Sequence, residues 1–229
     1  MKKVTLSSKI VKKLLILSGK TYTPDPDIPA GLLLNEIITR LSMMLRGICY
    51  FHKLVFIGQN VKIRGRRFIK IGSRATIEDG VYLDAYARNG IHIGTLSRIG
   101  AGTIIRSTAH LSVLGKGLTM GQNSGIGEYG YLGCAGGIWI GDDVIMGQFV
   151  SFHAQEHHYS NPNILIRHQS VTQKGIRIGS NTWVGSRVTF LDGTDIGSDS
   201  VVAAGAVVKG KFPSGAIIGG VPAKVIKMR

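Results

Sequence analysis

From Ile57 onward an aliphatic residue, often followed by glycine, returns every six positions. An amphipathic helix repeats near 3.6 and a half-buried strand repeats at 2, so neither sustains a period of six. Ile71, Ile77 and Leu83 form one run, and Ile93, Ile99 and Ile105 the next. Met120, Ile126 and Leu132 follow, then Ile140, Met146 and Phe152, then Ile178, Val184 and Phe190, then Ile196, Val202 and Val208. Before five of these runs an aliphatic stands two residues ahead: Ile69, Ile91, Leu118, Ile138 and Ile176. Ile57 and Ile63 make a partial run at the start.

A hexad suits a short strand plus a sharp turn. The aliphatic points inward, and small or Asn/Asp residues take the turn backbone, including φ > 0. Three hexads close a triangular coil, and stacked coils lay each aliphatic on its counterparts to give a continuous core. The 32 glycines among 229 residues fit this reading. They are about twice the usual ~7%, without a collagen period, so they serve many similar turns. The expected fold is all-β: a parallel β-helix of six to seven triangular coils with a short helical segment ahead of it.

The repeat halts once. The coil begun at Ile140 ends its third hexad at His157, and the next begins at Ile178, leaving 158–177 as a protruding loop. Four of the seven histidines (His153, His157, His158 and His168) lie in or beside this interruption. Long loops in compact domains are usually functional, and catalytic groups concentrate on loops held by rigid elements.

The hexad frame and the ending Ile218 to Ile226 (IGGVPAKVI) resemble the hexapeptide-repeat acyltransferases. Within them the chain is most similar to bacterial polysaccharide and lipopolysaccharide sugar O-acetyltransferases, with galactoside and maltose acetyltransferases as relatives. The resemblance covers about Ile57 to the C-terminus. It implies a left-handed coil, although parallel crossovers in general are nearly always right-handed. It also implies acetyl-CoA as cosubstrate and a homotrimer with active sites between subunits, over which such a loop folds.

Aligning residues 140–144 (IGDDV) with the family's matching coil places His157 at the catalytic histidine. His158 and Tyr159 resemble the family's His-x-Tyr, shortened by one residue, so His158 stays open as the other candidate base. Acyl transfer to a hydroxyl needs a base for the hydroxyl proton and donors for the developing oxyanion. Histidine suits the first task because its ordinary pKa lies near neutral pH. His153, after the inward Phe152, should point outward, where it lines the acceptor pocket or is solvated. Glu156 either tunes a histidine or is an ordinary loop acid.

The resemblance implies that Trp183, in residues 181–186 (NTWVGS), walls the site near the reacting groups. Gly185 and Ser186 belong to the same segment, Ser186 at a position that contacts the pantetheine arm in relatives. Ala204 and Gly205 match the flat backbone edge along which that arm lies. Lys209, Lys224 and Lys227 match positions at or beside those serving the cosubstrate's phosphates, where lysine supplies point charge.

Other readings share the scaffold. The acceptor could be an amine of an amino sugar, or serine. The γ-type carbonic anhydrases use this coil with zinc on three histidines from adjacent coils and chains. His153, His157 and His158 are close, but the preceding coil, 120–137, has no histidine, so no metal is expected. A non-catalytic scaffold would have no need of the loop or the IGGVPAKVI ending. Neither a P-loop nor a dinucleotide fingerprint is present, which argues against ATP and NAD.

The net charge of +15 is uneven, with 14 Lys/Arg against 3 Asp/Glu in residues 1–70. No nucleic-acid-binding motif accompanies it, so nucleic acid is not expected as a partner. Residues 2–20 mix lysines with Ile10, Val11, Leu14, Leu15 and Leu17, as in a basic amphipathic helix on an anionic membrane or one packed on the main domain. Pro24, Pro26 and Pro29 mark a linker. From Gly31 to about Phe51 a helix is expected, with Leu34, Ile37, Leu41, Met44 or Leu45, and Ile48 on its apolar stripe. Arg40 and Arg46 fall on its wet side.

The expected division is a basic segment and linker at 1–56, the β-helix at 57–213, and a segment completing the cofactor site at 214–229. Cys49 and Cys134 lack framework spacing, and no signal peptide is evident. The expected location is cytoplasmic, at or near the inner membrane face, with a saccharide or lipid-linked glycan as acceptor.

Overall fold

The computed structural model describes residues 24–229 apart from 26, 109 and 111. The expectation for residues 2–20 lies outside them. The chain winds as a three-sided parallel coil. One face is a nine-stranded sheet from Phe56–Ile57 to Ala223–Met228. A seven-stranded face runs from Lys62–Arg64 to Val207–Val208 and is here called the His153 face. The third, also seven-stranded, runs from Ile69–Ile71 to Lys211–Phe212 and is called the Trp139 face.

The register bears out the hexads. Phe152 pairs with Leu132 and Phe190, and Ile140 with Met120 and Ile178. These side chains form one core that extends from Val55 and Ile57 to Ile218. Phe152 and Phe190 fill it near the interruption, with ring centroids 4.6 Å apart. Full burial of such a side chain is worth about 1.5–3 kcal/mol, so each rung of the column contributes to stability.

The corners depart from expectation in one respect. Positive φ was expected of small residues and Asn/Asp, yet Leu96, Tyr129, Phe149 and Arg187 also adopt it. Large side chains there are uncommon. Stacking between coils accounts for part of this: the Tyr129 and Phe149 rings lie 5.4 Å apart at 12°, with the Arg187 guanidinium 5.7 Å from the Phe149 centroid.

Helix α1 (Ala30–Phe51) closes the N-terminal end of the coil. Its contact face is turned from the expected one, which shares with it only the half-buried Ile37 and Met44. Met43 and Gly47 are buried, Arg46 Nε donates to the Ile57 carbonyl at 2.7 Å, and Arg40 lies over the Phe56 ring. Leu34, Ile38, Leu41, Leu45 and Ile48 face solvent. Arg46 faces inward to supply a donor to the first strand's open edge, and Arg40 covers the Phe56 ring and reaches the Thr76 hydroxyl. Among the described residues no helix is long and apolar enough to cross a membrane. At the other end Ala216–Gly220 turns through a cis Val221–Pro222 bond and pairs antiparallel with Ala223–Met228.

Candidate active site

The interruption is an arm that leaves the coil where the His153 face turns into the Trp139 face. After the buried Ala154, Glu156–His157 pairs antiparallel with Val171–Thr172, opposite the parallel sense of the coil. The His158 N–H extends this ladder to the Ser170 carbonyl at 2.8 Å. Strand pairing thus begins at Glu156, and His157 stands on the stem of the arm.

Three contacts set the stem on the coil. Lys209 Nζ lies 2.6 Å from Glu156 Oε2, and this hydrogen bond holds the Lys209 ammonium above its ordinary pKa. The buried Asp192 carboxylate accepts from the Lys174 and Gly175 N–H groups at 3.0 and 2.8 Å. Lys116 Nζ donates to the Gln173 carbonyl at 2.9 Å. Farther out, the Gln169 side-chain amide donates to the carbonyls of Asn161 and Ile164, at 3.0 and 2.9 Å. The tip leaves Tyr159, Leu165 and Ile166 exposed, Leu165 at 68%.

His153 points outward, as expected, against Tyr131 with ring centroids 5.6 Å apart. The pair lines a small groove with Arg106 and Gln155. His157, His158 and Tyr159 are exposed on the arm. Around it, then, stand His153, Glu156, His157, His158, Tyr159 and Lys209.

The remaining candidates lie elsewhere. Trp183 projects from the nine-stranded face between Ile145 and Val201, 59% exposed. Ser186 donates to Gln148 Oε1 at 3.0 Å at the next corner. Ala204 and Gly205 are exposed there, and a Cβ on Gly205 would meet no atom within 4 Å. The corner is open and small-sided, which fits a thin extended chain lying along it. Gly185 is buried against the Ala204 backbone, so its contribution is coil spacing. Lys224 and Lys227 lie on the last strand, opposite Gly219 and Ile217. Within one chain these residues lie on or beside the nine-stranded face, whereas His157 stands on the arm at the corner of the other two faces. Among the described residues, no group of three or more His, Cys, Asp or Glu could hold a metal.

Sequence reasoning missed Asp192 and Gln173. Asp192 reads as an ordinary turn residue before Gly193, and only the return of the arm above it reveals its task.

Residues 175–210 match the family described as bacterial transferase hexapeptide (six repeats). That stretch is a hexapeptide repeat. The fold is accordingly a left-handed parallel β-helix, as the resemblance implied. The chain is 29% identical over 216 residues to a probable acetyltransferase of Mycobacterium tuberculosis, covering 93% of this chain and 61% of that protein. It is 32% identical over 125 residues to an Escherichia coli protein named for O-acetyl transfer in lipopolysaccharide biosynthesis, covering 51% and 64%. The chain thus spans somewhat less than two thirds of these relatives' lengths. A solved structure, the UDP-N-acetylglucosamine acyltransferase of Campylobacter jejuni, shares the fold at TM-score 0.53 and 16% identity, over 77% of this chain and 69% of that one.

Proposed function

We propose that the protein is an acetyl-CoA-dependent O-acetyltransferase acting on a saccharide hydroxyl, with His157 as general base. The observation that carries this reading is the stem of the arm. It holds an exposed histidine on a short ladder, tied to the coil through Glu156 and Lys209, where a solvent-borne hydroxyl can reach it. The relatives named as acetyltransferases support the reaction class.

In this mechanism an imidazole nitrogen of His157 takes the acceptor's hydroxyl proton as that oxygen attacks the thioester carbonyl. The imidazolium returns the proton to the departing thiolate sulfur, so the histidine ends as it began. Ser186, Ala204 and Gly205 line the pantetheine arm, and Lys224 and Lys227 supply charge for the phosphates.

The assembly we propose is a homotrimer. In one chain Trp183 projects from the nine-stranded face and His157 stands on the arm at the corner of the other two faces, so a site using both needs a second copy. The exposed apolar arm tip and the outward Ile145 and Trp183 give two copies surfaces to bury. The location we propose is cytoplasmic, at the inner membrane face. The exposed stripe of α1, adjoining a strongly basic N-terminal region, supports a peripheral lipid contact. Weaker sedimentation with anionic vesicles is then expected for Leu41→Ser/Leu45→Ser; unchanged sedimentation would rule that contact out.

The test of function is thiol release from acetyl-CoA against nucleotide sugars, lipid-linked sugars, oligosaccharides, amino sugars and serine. Release with a hydroxyl-only sugar that disappears in His157→Ala supports the reading. Release only with amines or serine would replace the acceptor, and full activity in His157→Ala would remove the base.

A further inference from the structure

Beside the foot of the arm, on the Trp139 face, lies a groove of about 480 Å³ that none of the residues proposed above uses. Its floor is Trp139, half-buried, with the Arg177 guanidinium 3.9 Å from the indole centroid. Lys116, Lys174 and Lys211 stand on its rim, and Asp195 is its one acidic residue. The register puts Trp139, Arg177, Asp195 and Lys211 in consecutive rungs of one ladder. Four cations against one carboxylate leave the groove electropositive.

A cluster of cations along one groove raises the local concentration of anions there. A guanidinium held over an indole keeps N–H donors for bidentate binding, which suits phosphate. Lysines around it add point charge. The groove is also joined to the arm: Lys116 holds the Gln173 carbonyl, and Lys174 and Gly175 are the residues clipped by Asp192. A ligand seated here therefore touches Lys174 and Gly175, where the arm that presents His157 rejoins the coil. Apart from Trp139, the outer side chains of this face (Lys70, His92, Thr119, Arg177, Asp195 and Lys211) are polar, unlike the Ile145 and Trp183 surface, which suits a face left open to solvent.

We propose that the Trp139 groove binds the diphosphate of the glycan acceptor, whether that diphosphate links the sugar to a nucleoside or to a lipid. This rests on the saccharide acceptor proposed above and narrows it to phosphate-linked sugars. Arg177 and the three lysines hold the diphosphate, and Trp139 borders the group attached to it.

The groove contains its own reporter. In Trp183→Phe protein Trp139 is the remaining tryptophan, so its fluorescence reads binding without any transfer reaction. Inorganic pyrophosphate, UDP-glucose, farnesyl diphosphate and coenzyme A are titrated at low salt. Saturable quenching by pyrophosphate is expected, with tighter binding by UDP-glucose or farnesyl diphosphate according to the natural carrier. Each exposed lysine removed, in Lys174→Ala and Lys211→Ala, should weaken binding roughly tenfold. These surface changes leave the core intact, and Arg177→Gln serves as a third variant. No quenching by any diphosphate, or quenching unmoved by the lysine variants, would overturn the proposal. So would coenzyme A binding as tightly as the sugar diphosphate, which would give the groove to the cosubstrate. Absent binding with intact His157-dependent transfer sinks the groove alone. Binding with no transfer to any acceptor sinks the function and leaves the groove.

Discussion

Lys209 Nζ sits 2.6 Å from Glu156 Oε2, joining the last complete coil to the residue immediately before His157. Both side chains are partly solvated, at 57% and 28% exposure, so the bridge is worth only about 0.2–1 kcal/mol to stability. Its consequence is positional.

Lys209→Met is accordingly expected to leave the melting temperature nearly unchanged while lowering acceptor-dependent turnover roughly tenfold to a hundredfold, since small misplacements cost that much. The charge-reversed pair Glu156→Lys with Lys209→Glu should recover part of the rate. The ammonium's pKa is raised by Glu156, so the bridge is intact below the ordinary lysine value and is lost as pH rises through the higher folded one. Turnover profiles of wild type and Lys209→Met should therefore run parallel from neutral pH to about pH 9, the ordinary lysine value being near 10.4.

Cys134 is fully buried, and burial pushes its thiol pKa well up, whereas Cys49 is exposed on α1. Only the thiolate reacts. A thiol reagent at pH 8 should label one site per native chain, mapped to Cys49, and two after denaturation. Rapid native labelling of Cys134 would mean that the coil opens near residue 134.

Gly47 is buried where α1 packs on the start of the coil, and a Cβ there would collide with the Val55 carbonyl. Gly47→Ala should cost about 1–3 kcal/mol, the range for overpacking, and shed the helix end first. Gly31, with open space around it, is the control: Gly31→Ala should be neutral or slightly stabilising. Equal thermal denaturation of the two variants would contradict this packing.

Most of the coil was legible because its information is periodic. Ile57, Ile77, Ile99 and their successors are placed by spacing alone, and spacing is local. What escaped was set by tertiary partners. The stripe of α1 reads as a core face, yet the open sheet edge at Ile57 took a donor from Arg46 and the Phe56 ring took Arg40. Trp139 follows an inward isoleucine and looks like an ordinary outward residue; its partner Arg177 is 38 positions away, across the arm. That the chain leaves the coil beside His157 was legible from the interruption. That Lys209 sits there was not, because 53 residues and the arm separate Lys209 from Glu156.

The central claim is that one chain's His157 works against another chain's Trp183 face. Subunit complementation tests it most directly. His157→Ala and Trp183→Ala are each made, unfolded, mixed in equal amounts and refolded together, and thiol release is measured with the accepted sugar. Each variant alone should be nearly inactive. In randomly mixed trimers about a quarter of the sites would combine an intact His157 with an intact Trp183 from the neighbour, restoring about a quarter of wild-type activity. Activity no greater than the sum of the separately refolded variants would contradict a shared site.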